Sequence, residues 1–331
     1  MTKPRVVSGM RPTGKLHLGH LVGALKNWAD LQDAYDCFYF VADWHALTSE
    51  YASSDELTEY ALDNVADWIA AGLDPERSTF FIQSLVPEHA ELYLLLSMVV
   101  PLPWLERVPT YKEQMSQLSD RDLSKIGFLG YPLLQGADVL MYRASFVPVG
   151  EDQVPHLELI REVVRRFHGF FGEIFVEPQP LLTHFPRLPG LDNRKMSKSY
   201  ANTIDLSDPP DTVRTKVMRM YTDPQRIRAD IPGTVEGNPV FVYHEAFNPN
   251  VEEVEELKAR YRAGRVGDVE VKEKLASAID ATLEPMRRRR QELLNKPARL
   301  REIVFEGSER ARAIAGETMK KVREAVGLTY A

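Results

Sequence analysis

A β-branched run ending in glycine, Arg5-Val6-Val7-Ser8-Gly9, gives way within ten or so residues to helical periodicity, and this change of period constrains the chain more than any other feature. Leu21, Val22, Leu25, Trp28 and Leu31 recur at the spacing of one helix face. The stretch between them, Pro12-Thr13-Gly14-Lys15-Leu16-His17-Leu18-Gly19-His20, then reads as a tight loop joining a strand to a helix. It puts His17 and His20 at a helix N-terminus, where free backbone N–H groups and the helix dipole favour a bound phosphate. Imidazoles at i and i+3 share a face and can both donate to phosphate oxygens. Gly14 and Gly19 let the backbone approach a ligand closely. On this stretch alone, a nucleotide site and a structural pair of histidines stand as equal readings.

The alternation continues downstream. Cys37 to Ala42 is a continuous apolar run of the kind a buried parallel strand shows. Ser78 to Gln83, Phe146 to Val149 and Leu181 to Phe185 read as three further strands. Ser53 and Glu56 have capping-box spacing for a helix that Gly72 would stop, and a long helix is expected from Val154 to Phe170. The β-α-β-α-β order implies right-handed crossovers, a parallel sheet and ligands bound outside the strands' carboxyl ends. His17, His45 and Gln83 all follow strand ends, so they can converge. Residues 87–143 instead read as a helical insertion, broken by Pro101 and Pro103.

From Asp205 onward strand signals fade. Pro209-Pro210 opens a helix, and others are expected over 251–263, 268–295, 297–305 and 308–326, punctuated by Gly264, Gly267, Pro297 and Gly307. The expected fold is therefore α/β: a Rossmann-like parallel-sheet domain over residues 1–200 with its insertion at 87–143, then an all-helical domain over 201–331.

A chain of 331 residues suits two domains, and 44% hydrophobic with 27% charged residues fits a globular protein. The one cysteine, Cys37, excludes an intrachain disulfide and reads as a buried strand residue. No apolar stretch approaches the ~20 residues a membrane span needs, and the N-terminus lacks a signal-peptide core, so a cytoplasmic location with no membrane partner is expected. A net charge of −7 argues against a globally basic nucleic-acid binder. The charge is uneven, however: residues 251–331, with the run Arg287-Arg288-Arg289-Arg290, carry +3 against −10 for the remainder. That part could meet a polyanion or could be an ordinary solvated helical surface, and charge alone does not decide.

A second stretch, Lys195-Met196-Ser197-Lys198-Ser199, follows Pro189-Gly190. Alone it is a basic loop. Together with His17-Leu18-Gly19-His20 it resembles, in order and distance, the two signature motifs of class I aminoacyl-tRNA synthetases. Gly150-Glu151-Asp152-Gln153 and Tyr131-Pro132-Leu133-Leu134-Gln135-Gly136-Ala137-Asp138 resemble motifs of the tryptophan branch of that family. The resemblance implies that His17, His20, Lys195 and Lys198 are catalytic. It implies ATP contacts at Arg11, Pro12, Thr13, Gly19, Leu188, Met196, Ser197 and Ser199, and ribose contacts at Gly150, Glu151 and Asp152. Asp138 would accept the indole N–H, Tyr131 and Gln153 would hold the α-amino group, and Gln135 and His45 would face the substrate. It further implies Mg²⁺ carried on the ATP phosphates without a protein metal site, L-tryptophan and its tRNA as partners, a mobile loop at 195–199, a homodimer formed through the insertion, and a C-terminal domain that reads the anticodon.

Other readings stay open at this point. Glu151 and Asp152 could cap the helix that follows them, and Asp138 could be a structural carboxylate paired with Arg143. A tyrosine ligase, a small nucleotidylyltransferase and a non-enzymatic binding protein derived from a synthetase are the competing functions. Arg11 and His20 depart from the glutamine and asparagine that many bacterial relatives carry.

Overall fold

The computed structural model describes residues 3–52, 54–108, 125–182, 188–196 and 200–330. Among them, β1 (Arg5–Met10), β2 (Asp36–Val41), β3 (Ser78–Ile82), β4 (Phe146–Val149) and β5 (Gln179–Leu182) form one sheet in the order β3-β2-β1-β4-β5. Every pairing is parallel. A sheet of this kind is covered on both faces, which explains the unbroken apolar run of β2. Its Cys37, Tyr39 and Val41 enter one core, and its Phe38 and Phe40 the other.

β5 begins earlier than the expected Leu181, because its register with β4 pairs Phe146–Val149 with Gln179–Leu182; residues 183–185 lie outside the described residues. The helix Leu57–Ala70 starts at Glu56 without a side-chain cap, Ser53 lies outside the described residues, and Gly72 ends the helix at φ +110°. The insertion between β3 and β4 is helical as expected, with helices Glu88–Ser97, Leu102–Glu106 and Ile126–Leu140; residues 109–124 lie outside the described residues. Strand order reverses between β1 and β4. The loops that follow those two strands flank the crevice where such sheets bind ligands.

Beyond β5 come the helices Pro210–Met218, Pro239–Phe247, Val251–Arg262, Asp268–Leu294 and Pro297–Ala325. Gly307 does not divide the last of them, contrary to expectation. This helix crosses the edge of the sheet, and a Cβ at Gly307 would stand 1.8 Å from the Phe80 carbonyl oxygen. The glycine is there for close approach. Next to it, the Ser308 hydroxyl accepts the Ile82 N–H (3.3 Å), satisfying a donor on an otherwise open edge. Before the crossing, Leu300, Ile303 and Val304 pack into the core of one sheet face; after it, Ala311, Ala315, Met319 and Val322 pack into the other. The C-terminal helix thus wraps the sheet instead of standing apart from it.

Candidate active site

Alternation sets the first element of the site. Leu16 and Leu18 are buried in the core, so His17 between them faces the other way. The chain here pairs with a distant segment: Leu18 N–H donates to the Ile204 carbonyl (2.9 Å), Leu206 N–H donates to the Leu16 carbonyl (2.8 Å), and His17 faces Asp205 in an antiparallel bridge. His17 then caps a helix that runs as Leu18–His20, a π-helical turn Leu21–Leu25 and Lys26–Leu31. Such π-bulges recur at functional sites.

The expectation of free N–H groups at this helix start is not met. Leu18 N–H is taken by Ile204, Gly19 N–H by His17 Nδ1 (3.1 Å), His20 N–H by the His17 carbonyl (2.8 Å), and His17 N–H by His20 Nδ1 (3.1 Å). What the turn offers an anion is the imidazole pair, with ring centroids 3.9 Å apart. Because each Nδ1 accepts from backbone, each ring in its neutral form carries its proton on Nε2.

The second motif reaches the first. Pro189 and Lys195 form an antiparallel bridge, and Gly190 N–H donates to the Arg194 carbonyl (2.7 Å). Asn202 Nδ2 ties this loop down by donating to Asp192 Oδ1 (2.8 Å) and to the Lys195 carbonyl (3.1 Å). That hydrogen bond, with help from Arg194, holds the Asp192 carboxyl down to about 2. The Met196 sulfur lies 2.7 Å from where a Cβ on Gly19 would stand, so a larger residue at 19 would displace Met196. Leu188 is buried at the start of the loop. Asn193 (φ 64°) and Ala201 (φ 49°) take left-handed conformations on either side of the motif, an uncommon one for alanine. Ser197, Lys198 and Ser199 lie outside the described residues.

Around the crevice, Arg11 bonds the Ser49 hydroxyl, and Thr13 N–H donates to the Arg11 carbonyl (2.9 Å) beyond Pro12. After β4, Gly150 leads into a short 3₁₀ turn, Glu151–Gln153, with Glu151 and Asp152 exposed. Gln153 Nε2 donates to Asp152 Oδ2 (3.2 Å).

The insertion helix Ile126–Leu140 carries Tyr131, Gln135 and Asp138 at i, i+4 and i+7 on one face. Asp138 is 1% exposed. Its Oδ1 accepts from Gln83 Nε2 (2.7 Å) and bonds His89 Nδ1 (2.6 Å), while its Oδ2 bonds His45 Nε2 (2.8 Å). Arg143 is not its partner. Burial pushes the Asp138 carboxyl up, but the bonds from His45 and His89 overcome this and leave it lowered to about 2. The site therefore holds an ionised carboxylate. His45 comes from the helix Asp43–Glu50 directly after β2. Gln83 follows β3, and its Oε1 accepts the Trp44 N–H (3.2 Å). His45 and Gln83 thus converge as expected, but on Asp138 and not on His17.

The Tyr131 ring lies 5.7 Å from that of His156, whose pKa burial lowers to about 4. One helix turn from Asp138, a cavity of about 250 Å³ opens among Trp44, Leu47, Thr48, Tyr93, Gly130 and Leu134. Sequence reading missed His89, Tyr142, Asn202 and Ile204. No local motif marks them: His89, Tyr142 and Ile204 act through partners far away in the chain, and Asn202 through a loop fold that its short-range neighbours Asp192 and Lys195 do not announce.

No group of three or more His, Cys, Asp or Glu side chains among the described residues is arranged to hold a metal ion, and no helix among them is long and apolar enough to cross a membrane. A family model described as tRNA synthetases class I (W and Y) matches residues 1–284. The tryptophan–tRNA ligase of Treponema pallidum is 49% identical, over 98% of this chain and 97% of its own. That of Thermotoga maritima is 48% identical, over 98% of this chain and 100% of its own. The crystal structure of tryptophanyl-tRNA synthetase from Campylobacter jejuni, complexed with ADP and tryptophan, superposes with a TM-score of 0.88 at 34% identity, covering 98% of this chain and 99% of that one.

Proposed function

The chain belongs to the class I tRNA synthetases of the tryptophan and tyrosine group, and within that group we propose that it works as a tryptophan–tRNA ligase. It joins L-tryptophan and ATP into tryptophanyl-adenylate with release of pyrophosphate, then passes tryptophan to the 3′ end of its tRNA. The reading is carried by one observation above all: two motifs about 180 residues apart in sequence meet, through Leu18 on Ile204 and Met196 on Gly19, beside the switch in strand order.

In activation, a carboxylate oxygen of tryptophan attacks the α-phosphorus in line, and the bond to the bridging oxygen breaks. Charge grows on the departing oxygens, so catalysis is positioning plus electrostatic stabilisation. His17 and His20 donate Nε2–H to phosphate oxygens. Lys195 and Lys198 set cations against the departing pyrophosphate, and Ser197 and Ser199 add hydroxyl donors. Arg11, Pro12, Thr13, Gly19, Leu188 and Met196 line the nucleotide's bed. Gly150, Glu151 and Asp152 take the ribose, the carboxylates accepting from its hydroxyls.

Asp138 accepts the indole N–H, a group that can only donate. His45, Tyr131, Gln135 and Gln153 complete the amino-acid side. Mg²⁺ bound to the ATP phosphates would share their charge, with His17, His20, Lys195 and Lys198 as the residues that face those phosphates. The helical domain over 201–331 takes the tRNA, residues 195–199 close over ATP, and the insertion joins two copies into a homodimer in the cytoplasm.

The test is exchange of pyrophosphate into ATP with each of the twenty amino acids. Tryptophan alone should support rapid exchange. Equal exchange with tyrosine would move the assignment to the tyrosine branch, and no exchange with any amino acid would overturn the enzymatic reading.

A further inference from the structure

We propose that His89, held in one tautomer by Tyr142, is a positioning residue that aims the outer oxygen of Asp138 at the tryptophan ring. The inference rests on the reading of this chain as a tryptophan ligase. The two oxygens of Asp138 are not equivalent. Oδ1 is held by Gln83 and His89, both 0% exposed, whereas Oδ2 is held by His45, whose side chain is 11% exposed. Oδ1 is therefore the anchored oxygen and Oδ2 the one nearer the open side. A carboxylate offers about four lone-pair sites. The described residues use three of them, two on Oδ1 and one on Oδ2, which leaves the fourth on the outer oxygen for a ring N–H.

His89 fixes this division. Its Nε2 lies 2.6 Å from the Tyr142 hydroxyl, which is buried and whose acidity burial suppresses, so Tyr142 stays an O–H donor. Donation from Tyr142 to Nε2 leaves the proton on Nδ1, facing Asp138 Oδ1. Without that donor, Gln83 alone would hold Oδ1 and the carboxylate could turn about its last bond. The platform under His89 is fixed as well. It starts the helix Glu88–Ser97, which Arg312 and Arg323 of the C-terminal helix hold through Glu88 (3.0 Å) and Glu91 (2.7 Å).

The experiment is steady-state pyrophosphate exchange by wild type, His89→Leu, His89→Asn, His89→Gln and Tyr142→Phe, with KM measured separately for tryptophan and ATP. Asparagine keeps an N–H donor near the position of Nδ1; leucine keeps bulk only. His89→Leu should raise KM for tryptophan about tenfold or more and leave KM for ATP within about twofold. His89→Asn should recover most of the loss, and Tyr142→Phe should show a smaller rise of the same kind. Equal losses in the leucine and asparagine variants, or losses shared by both substrates, would overturn the proposal, since packing alone would then explain them. If His89→Leu does not fold, the other three decide: unchanged tryptophan KM in Tyr142→Phe, or no advantage of His89→Asn over His89→Gln, which carries its donor one bond further out, overturns it. Wild type that activates tryptophan alongside unaffected variants defeats this inference alone. Wild type inactive with tryptophan defeats the ligase reading and this inference with it.

Discussion

Two pairs of histidines sit at the two ends of the proposed reaction path, and they are used in opposite ways. In the turn after β1, His17 and His20 accept backbone N–H groups through Nδ1, bonds made within the turn itself. Below the insertion helix, His45 and His89 spend a ring nitrogen each on the buried carboxylate of Asp138. The residue type is the same; burial and the first neighbour decide the role. One pair forms a half-buried set at the head of a helix, suited to a charged ligand that brings its own counterions. The other is part of a closed network in which a single ionised group is held still for one weak contact. A reaction that must grip a triphosphate and sort an uncharged ring requires both kinds of site.

The largest expected effect lies at the phosphate end. Lys195→Ala should slow adenylate formation by about 10²–10³-fold, the scale for removing one electrostatic donor, with tryptophan affinity nearly unchanged. Single-turnover activation followed by quench flow, with tryptophan binding measured by fluorescence titration, separates the two. A variant that activates at the wild-type rate would show that the second motif serves structure only. A variant that loses tryptophan affinity instead would break the division between the two ends.

At the buried end the effect should be smaller and selective. Asp138→Asn replaces one acceptor oxygen by a donor that must face His45, or else His89 and Gln83. We expect kcat/KM for tryptophan to fall at least about tenfold, at 1.4 kcal/mol per decade, the gap to phenylalanine to narrow, and KM for ATP to hold. The same residue has an acid signature. Its carboxyl is held at about 2 in the folded chain, below the ordinary value of 3.8, so its contribution to stability is complete above about pH 4 and is lost as the pH falls toward 2. Denaturation measured across that window should give wild type a steeper loss than Asp138→Asn. Parallel curves would mean that the carboxylate does not carry its charge in the fold.

The difference between the ends also decides what could be read in advance. The imidazole pair was legible because its partners are local: a strand, a glycine and i, i+3 spacing lie within twenty residues. The sheet was legible for the same reason, as β2 announces burial on both faces in one unbroken apolar run. Asp138 was legible only as a residue in a motif. Its partners are 93, 55 and 49 residues away, and no periodicity connects them. Gly307 failed in the opposite sense. A glycine inside a helical pattern looks like a break, but here it exists to let the helix touch Phe80 across the sheet edge. Of the N–H groups expected to be free at His17, that of Leu18 goes to Ile204, which nothing in the loop foretells, and the others are taken inside the turn by the two histidines themselves.

The run Arg287-Arg288-Arg289-Arg290 repeats this contrast in four residues, and it supports the smallest of the expected effects. Read as sequence it is a basic run that points in several directions around a helix. In the helix Asp268–Leu294 it divides: Arg290 bonds Asp67 (2.8 Å) and Asp63 (2.6 Å) of the helix Leu57–Ala70, and Arg287 donates to the Asp208 carbonyl (3.0 Å) and pairs with Asp280. Arg290 ties the helix to the sheet domain, while Arg287 braces the helical domain within itself, and removing Arg290 would leave the buried Asp67 without its cation. Arg288 and Arg289 are exposed, so they alone are free to meet a phosphate backbone. Replacing both by glutamine should leave pyrophosphate exchange and thermal stability unchanged while weakening tRNA binding a few-fold at moderate salt. The slope of log affinity against log salt should drop by about one to two, because each lost contact releases one fewer counterion. Affinity measured from low to high salt for the pair variant decides the matter. An unaltered slope would show that this face of the helix does not meet tRNA, and the two arginines would then be ordinary solvated charge beside two structural ones.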